Sequence, residues 1–116
     1  MLTMEKLEEY GANTDEGLAR CLGNESFYFR MVGMIPDMPA FAALPKAVEE
    51  GDLEAGFEAA HALKGAIANV SLTSLLKPVE EITELLRAHT QTDYSSLLSQ
   101  IETKRAELKE LCVSDQ

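Results

Sequence analysis

The stretch between Gly51-Asp52 and Asn69-Val70-Ser71 constrains the fold more than any other part of the chain. Gly51 stops one helix and Asp52 caps the next, while Asn69, tolerant of the left-handed conformation, is the expected stop. At about 100° per residue the segment sorts into faces. Leu53, Ala60, Leu63, Ile67 and Val70 fall within an arc of roughly 100°, the width of a core-facing stripe. His61, Lys64, Gly65 and Ala68 recur at i, i+3, i+4 and i+7 and stack along a neighbouring face. That face carries one imidazole, one ammonium and otherwise almost no side chain. A glycine inside a helix costs about 1 kcal/mol relative to alanine, so Gly65 needs a reason. Either something approaches the backbone beside His61, or a neighbouring helix of the same bundle packs there. The spacing alone leaves both readings open.

The remaining sequence has the same helical character. Ala and Leu are abundant, β-branched residues are few, and only 6% of the 116 residues are aromatic. A length of 116 residues suits one domain, expected over residues 1–116, with a single core. Asn13 caps a short helix through Leu18 and Leu22, and Gly23-Asn24 closes it and caps the next, which carries Phe27, Phe29, Met31 and Met34. Pro36 and Pro39 interrupt this pattern, Asp37 offers a cap for a restart, and Pro45 should kink whatever helix passes through it. Whether Pro36 to Pro45 belongs to one bent helix or to two is open. Leu72, Leu75, Leu76, Val79, Ile82, Leu85 and Leu86 mark a further helix, with Pro78 expected near its first turn or bending it slightly. Asp93 caps the last, with Leu97, Leu98, Ile101, Leu108 and Leu111 inward. Helices of this length with short connections give an all-α, antiparallel four-helix bundle, with one or two short N-terminal helices in front.

Charge and composition exclude several functions. With 20 acidic and 10 basic residues the net charge is -10, which repels phosphate backbones and disfavours nucleic acid as a partner. The N-terminus does not read as a signal peptide, and the least charged stretch, Met31 to Pro45, is too short to span a bilayer. No membrane association is expected, and the cytoplasm is the expected compartment. Cys21 and Cys112 sit among apolar helical neighbours and read as reduced core residues. There is no Cys/His cluster, no Glu-x-x-His motif and no Gly-rich phosphate loop, so neither metal nor other cofactor is expected. The pairs Glu8/Glu9, Glu49/Glu50 and Glu80/Glu81 read as solvated faces, and His89, near a helix end, as structural.

His61 is the remaining reactive candidate. An exposed imidazole is largely neutral at pH 7 and keeps one nitrogen lone pair free, so it can attack an activated phosphoryl group. The loose transition state of phosphoryl transfer places charge on the peripheral oxygens, which a cation one turn away, Lys64, can stabilise.

His61-Ala62-Leu63-Lys64-Gly65, followed by Asn69 and Leu75, resembles the signature of histidine-containing phosphotransfer (HPt) domains. Leu44, Gly51-Asp52 and Ala59-Ala60 match that family's run into its histidine, and Glu16-Gly17-Leu18 through Phe27-Tyr28 match its earlier part. The likeness extends from about Asn13 to Leu111. It implies a four-helix bundle with an exposed histidine midway along one helix. It also implies a phosphocarrier, rather than a turnover enzyme, that exchanges phosphoryl groups between His61 and the aspartate of a response-regulator receiver domain or a hybrid histidine kinase. In that reading His61 is the phosphoacceptor, Lys64 its electrostatic neighbour and Gly65 the clearance for the partner; Ala68 and Phe57 are expected to join the partner-binding face. A monomer is expected. The chain departs from the pattern at Ser71, where the family often has Gly, and at Pro78, inside a helix that is usually uninterrupted. A pseudo-phosphotransfer domain that docks without carrying phosphate, or a structural helical interaction module, stands as the alternative.

Overall fold

A computed structural model describes residues 2–113, and within them every regular element is helical. Seven α-helices follow in order: α1 (Met4–Tyr10), α2 (Thr14–Arg20), α3 (Glu25–Met34), α4 (Ala40–Glu49), α5 (Leu53–Asn69), α6 (Thr73–Arg87) and α7 (Ser95–Val113). A 3-10 turn, Ile35–Asp37, joins α3 to α4. The region around the prolines is thus two helices rather than one bent helix. Pro39 occupies the N-cap of α4 and Pro45 lies inside it.

α4 packs on α5, α5 on α6 and α6 on α7. Phe41 and Leu44 of α4 share a cavity of about 300 Å³ with Leu98 and Ile101 of α7, closing the four-helix bundle. Its core is built on the stripes read from spacing: Leu63, Ile67, Leu75, Val79, Ile82, Leu86 and Leu108 are fully buried, and Leu44 of α4 joins them. Burying each such side chain stabilises the fold by about 1.5–3 kcal/mol. Pro78 falls in the second turn of α6, with its ring buried, so its missing N–H costs a helical hydrogen bond while the ring fills core space. The caps form as expected: Asn13 accepts from Glu16 N–H, Asn24 from Phe27 N–H, Asp52 from Ala55 N–H and Asp93 from Ser95 N–H. Asp37 does not cap α4. It accepts from Lys109 Nζ at 2.9 and 3.0 Å, tying the turn to α7.

The N-terminal helices clasp two places on the bundle. α1, which the sequence pattern did not single out, lies on α7: the Tyr10 hydroxyl donates to the Lys104 carbonyl at 2.8 Å, and Lys104 Nζ sits 4.7 Å from the Tyr10 ring centre. α2 and α3 close over the α5–α6 corner. Tyr28 is fully buried there and donates to the Val70 carbonyl at 2.9 Å, and Asn13 N–H donates to the Ser71 carbonyl at 2.8 Å. The left-handed residue of that corner is Ser71, at φ 54°, and not Asn69, which remains within α5. A non-glycine residue is unusual in this conformation, and Ser71 is held by donating its hydroxyl to Glu16 Oε1 at 2.8 Å. The corner therefore fixes the C-terminal end of α5, and with it the exposed face midway along that helix.

Candidate functional site

α5 buries Ala59, Ala60, Leu63 and Ile67 and turns its opposite side to solvent. His61 and Gly65 are exposed on that side, with Lys64 and Ala68 half-buried along its edges. A Cβ built on Gly65 would meet no other atom within 4 Å. No neighbouring helix requires a glycine at that position, which removes bundle packing as its reason. Gly56, in the same helix, differs: a Cβ there would come within 3.5 Å of Leu86.

The side chains beside His61 are ordered by the seam between α5 and α6. Phe57, one turn earlier at i−4, stacks on the imidazole with ring centres 5.5 Å apart and planes 24° from parallel. The Arg87 guanidinium from α6 lies over the Phe57 ring at 4.9 Å, a cation–π contact. Lys64 Nζ lies 3.9 Å from Glu84 Oε1, and Arg87 Nε donates to Glu84 Oε2 at 3.2 Å. Lys64 is about one-third exposed and Glu84 more than half, so the pair contributes little to stability and is free to exchange partners.

On the other side of the face, Asn69 and Ala66, about 80° and 140° around α5 from His61, meet α3. With Met31, Met34, Met38 and Val70 they line a groove of about 250 Å³. Phe27, Met31 and Met34 follow at i, i+4 and i+7 along α3, and Phe27 and Met34 are exposed by 43% and 61%. The His61 face is thus bordered by cations and an aromatic ring along one edge and by an apolar band along the other.

All five residues singled out from the sequence lie on α5: His61, Lys64, Gly65 and Ala68 on one face, with Phe57 extending it one turn toward the N-terminus. Glu84 and Arg87 were missed. Their i, i+3 spacing is visible, but nothing in one sequence shows that this part of α6 lies beside His61. His89 is exposed beyond the end of α6 at φ 52°, a chain-reversing position far along the sequence from the face. Cys21 is buried, Cys112 half-buried, and both are free thiols. A cavity of about 410 Å³ between α6 and α7, lined among others by Ser74, Lys77, Glu81 and Lys104, touches none of the site residues. Among the described residues, no three His, Cys, Asp or Glu side chains are placed to hold a metal ion, and no helix is long and apolar enough to cross a membrane.

No curated protein and no solved structure matches the chain. The family model described as Hpt domain matches residues 37–111, which spans α4 to α7 and includes His61, Lys64, Glu84 and Arg87. The earlier stretch that resembles the family, from Asn13 to Pro36, lies outside that match. With well over half of the chain covered, the protein belongs to the Hpt domain family, the phosphotransfer modules of two-component signalling.

Proposed function

We propose that this chain is a phosphocarrier that accepts a phosphoryl group on His61 from a receiver-domain aspartate, or from a kinase, and passes it to another receiver. The observation that carries the reading is the pairing of an exposed imidazole with a cation one turn away, with open space at Gly65 on the same face. In the transfer, a ring nitrogen lone pair forms the N–P bond as the P–O bond to the donor aspartate breaks. The aspartate leaves as a carboxylate carrying the electron pair. Negative charge builds on the three peripheral oxygens, and Lys64 lies on the side where it can face them. Phe57 limits the rotation of the imidazole by stacking on it. Gly65 and Ala68 leave the partner room to approach, and the apolar band of α3 flanks that approach.

Incubation with a phosphorylated receiver domain tests the reading. Label should pass to His61, survive base and be lost in acid, and His61→Gln should abolish it while leaving the helical content unchanged. Label retained in His61→Gln, or found on a Ser or Asp, would contradict the assignment.

A further inference from the structure

Packing of α5 against α6 puts two cations, not one, within a helical turn of the histidine along the seam. The contacts run in opposite directions along the two helices. Phe57 meets Arg87, while Lys64, further along α5, meets Glu84, earlier on α6. His61 lies between these two levels. Along the seam Arg87 therefore stands at the level of Phe57, one turn before the imidazole, and Lys64 one turn after it, and one carboxylate, Glu84, pairs with both.

We propose that Glu84 is a positioning residue that holds Lys64 and Arg87 beside His61 and yields them to the phosphoryl group once it is bound there. The inference rests on His61 as the phosphoacceptor. A neutral imidazole offers these cations no anion, so they pair with the carboxylate. A phosphoryl group on the ring carries up to two negative charges on three oxygens and outcompetes a single carboxylate for both. Arg87 is suited to this exchange because its guanidinium is planar and can present two N–H groups at once, and its stacking on Phe57 keeps it close to the ring. No bond is made to Glu84; only ionic contacts change hands. The charged residues within a turn of His61 are Glu58 and Lys64 on α5, with Glu84 and Arg87 of α6 along the seam.

The full chain, labelled at His61 with phosphoramidate, provides the test, read by ³¹P NMR as the phosphoryl group titrates between its monoanion and dianion. Glu84→Gln frees the cations and should lower that midpoint by about 0.2–0.7 pH unit, the range of an exposed charge pair. The side-chain N–H resonance of Arg87 should move on phosphorylation of the wild type. In a Lys64→Ala/Arg87→Ala background the effect of Glu84→Gln should fall to less than half. Glu81→Gln, which removes the same charge one turn away, should shift the midpoint less than Glu84→Gln does. An equal shift in both backgrounds would reduce Glu84 to a distant charge and overturn the exchange, as would no shift at all. Absence of label on wild-type His61 would overturn the phosphoacceptor reading itself and this inference with it.

Discussion

Two regions of the molecule each contain a helical glycine, and they use it in opposite ways. Gly17 sits in α2 at the closed corner, where an added Cβ would stand 2.6 Å from the Tyr28 ring. That ring is fully buried and its hydroxyl is fixed on the Val70 carbonyl, so it has nowhere to move. Gly65 sits on the open face of α5, where an added Cβ meets nothing. The first glycine is required by the fold, and the second by nothing within it. Substitutions in the corner should therefore destabilise the fold and spare the chemistry, whereas bulky or charge-removing substitutions on the open face should change transfer without destabilising the fold.

On the open face, Lys64→Ala should slow transfer from a receiver by roughly one to three orders of magnitude, the range for losing one electrostatic donor. Its unfolding free energy should stay within about 0.5 kcal/mol of wild type, because the residue is a surface one. Equal transfer rates in the two proteins would make Lys64 a solvated bystander.

In the corner, Gly17→Ala sets an overpacking cost of about 1–3 kcal/mol against a helix-propensity gain of about 1 kcal/mol. The net result should be a destabilised protein by urea unfolding, with His61 still labelled by phosphoramidate in the folded fraction. A stabilised Gly17→Ala variant would remove the contrast between the two glycines.

Alkali should open the same corner. Burial, with a smaller contribution from Cys21 nearby, pushes the Tyr28 phenol up to about 12 from an ordinary 10, and burial raises Tyr10 further. A folded-state pKa above the unfolded one means the stability from Tyr28 is intact below about pH 10 and is lost as pH rises from 10 toward 12. Phenolate absorbance should lag behind that of free tyrosine and then appear together with loss of helical signal. Phenolate formed by Tyr28 itself at pH 10 in a folded protein would show the corner to be open.

The smallest effect is that of Gly65→Ala. It should stabilise the chain by up to about 1 kcal/mol, since it removes backbone freedom from the unfolded state and meets no neighbour. Destabilisation would mean that the face is not open.

The sequence revealed those parts of the fold that depend on local rules. Asn13, Asn24 and Asp52 cap their helices because an N-cap oxygen reaches the N–H three residues on, whatever surrounds it. The stripes of α5 and α6 were readable because burial follows the helical repeat. Interactions between distant residues were not. α1 has seven residues, four of them charged, and it is held by Leu7, Tyr10 and their seat on α7. Asp37 looked like a cap until the fold brought Lys109 to it. Ser71 takes the left-handed position because Glu16, from another helix, holds its hydroxyl there. At the site, the α5 face was legible from spacing, whereas Glu84 and Arg87 depend on the register between two helices.

Gly65→Leu, compared with wild type, tests the central claim that the open face serves a docking partner beside a competent His61. Both proteins are offered two donors, a phosphorylated receiver domain and phosphoramidate, and their thermal melts are recorded alongside. Melting should be no lower than that of wild type and labelling by phosphoramidate unchanged, with transfer from the receiver lost, because only the receiver needs the face. A Gly65→Leu protein that accepts phosphate from the receiver at the wild-type rate would contradict the account.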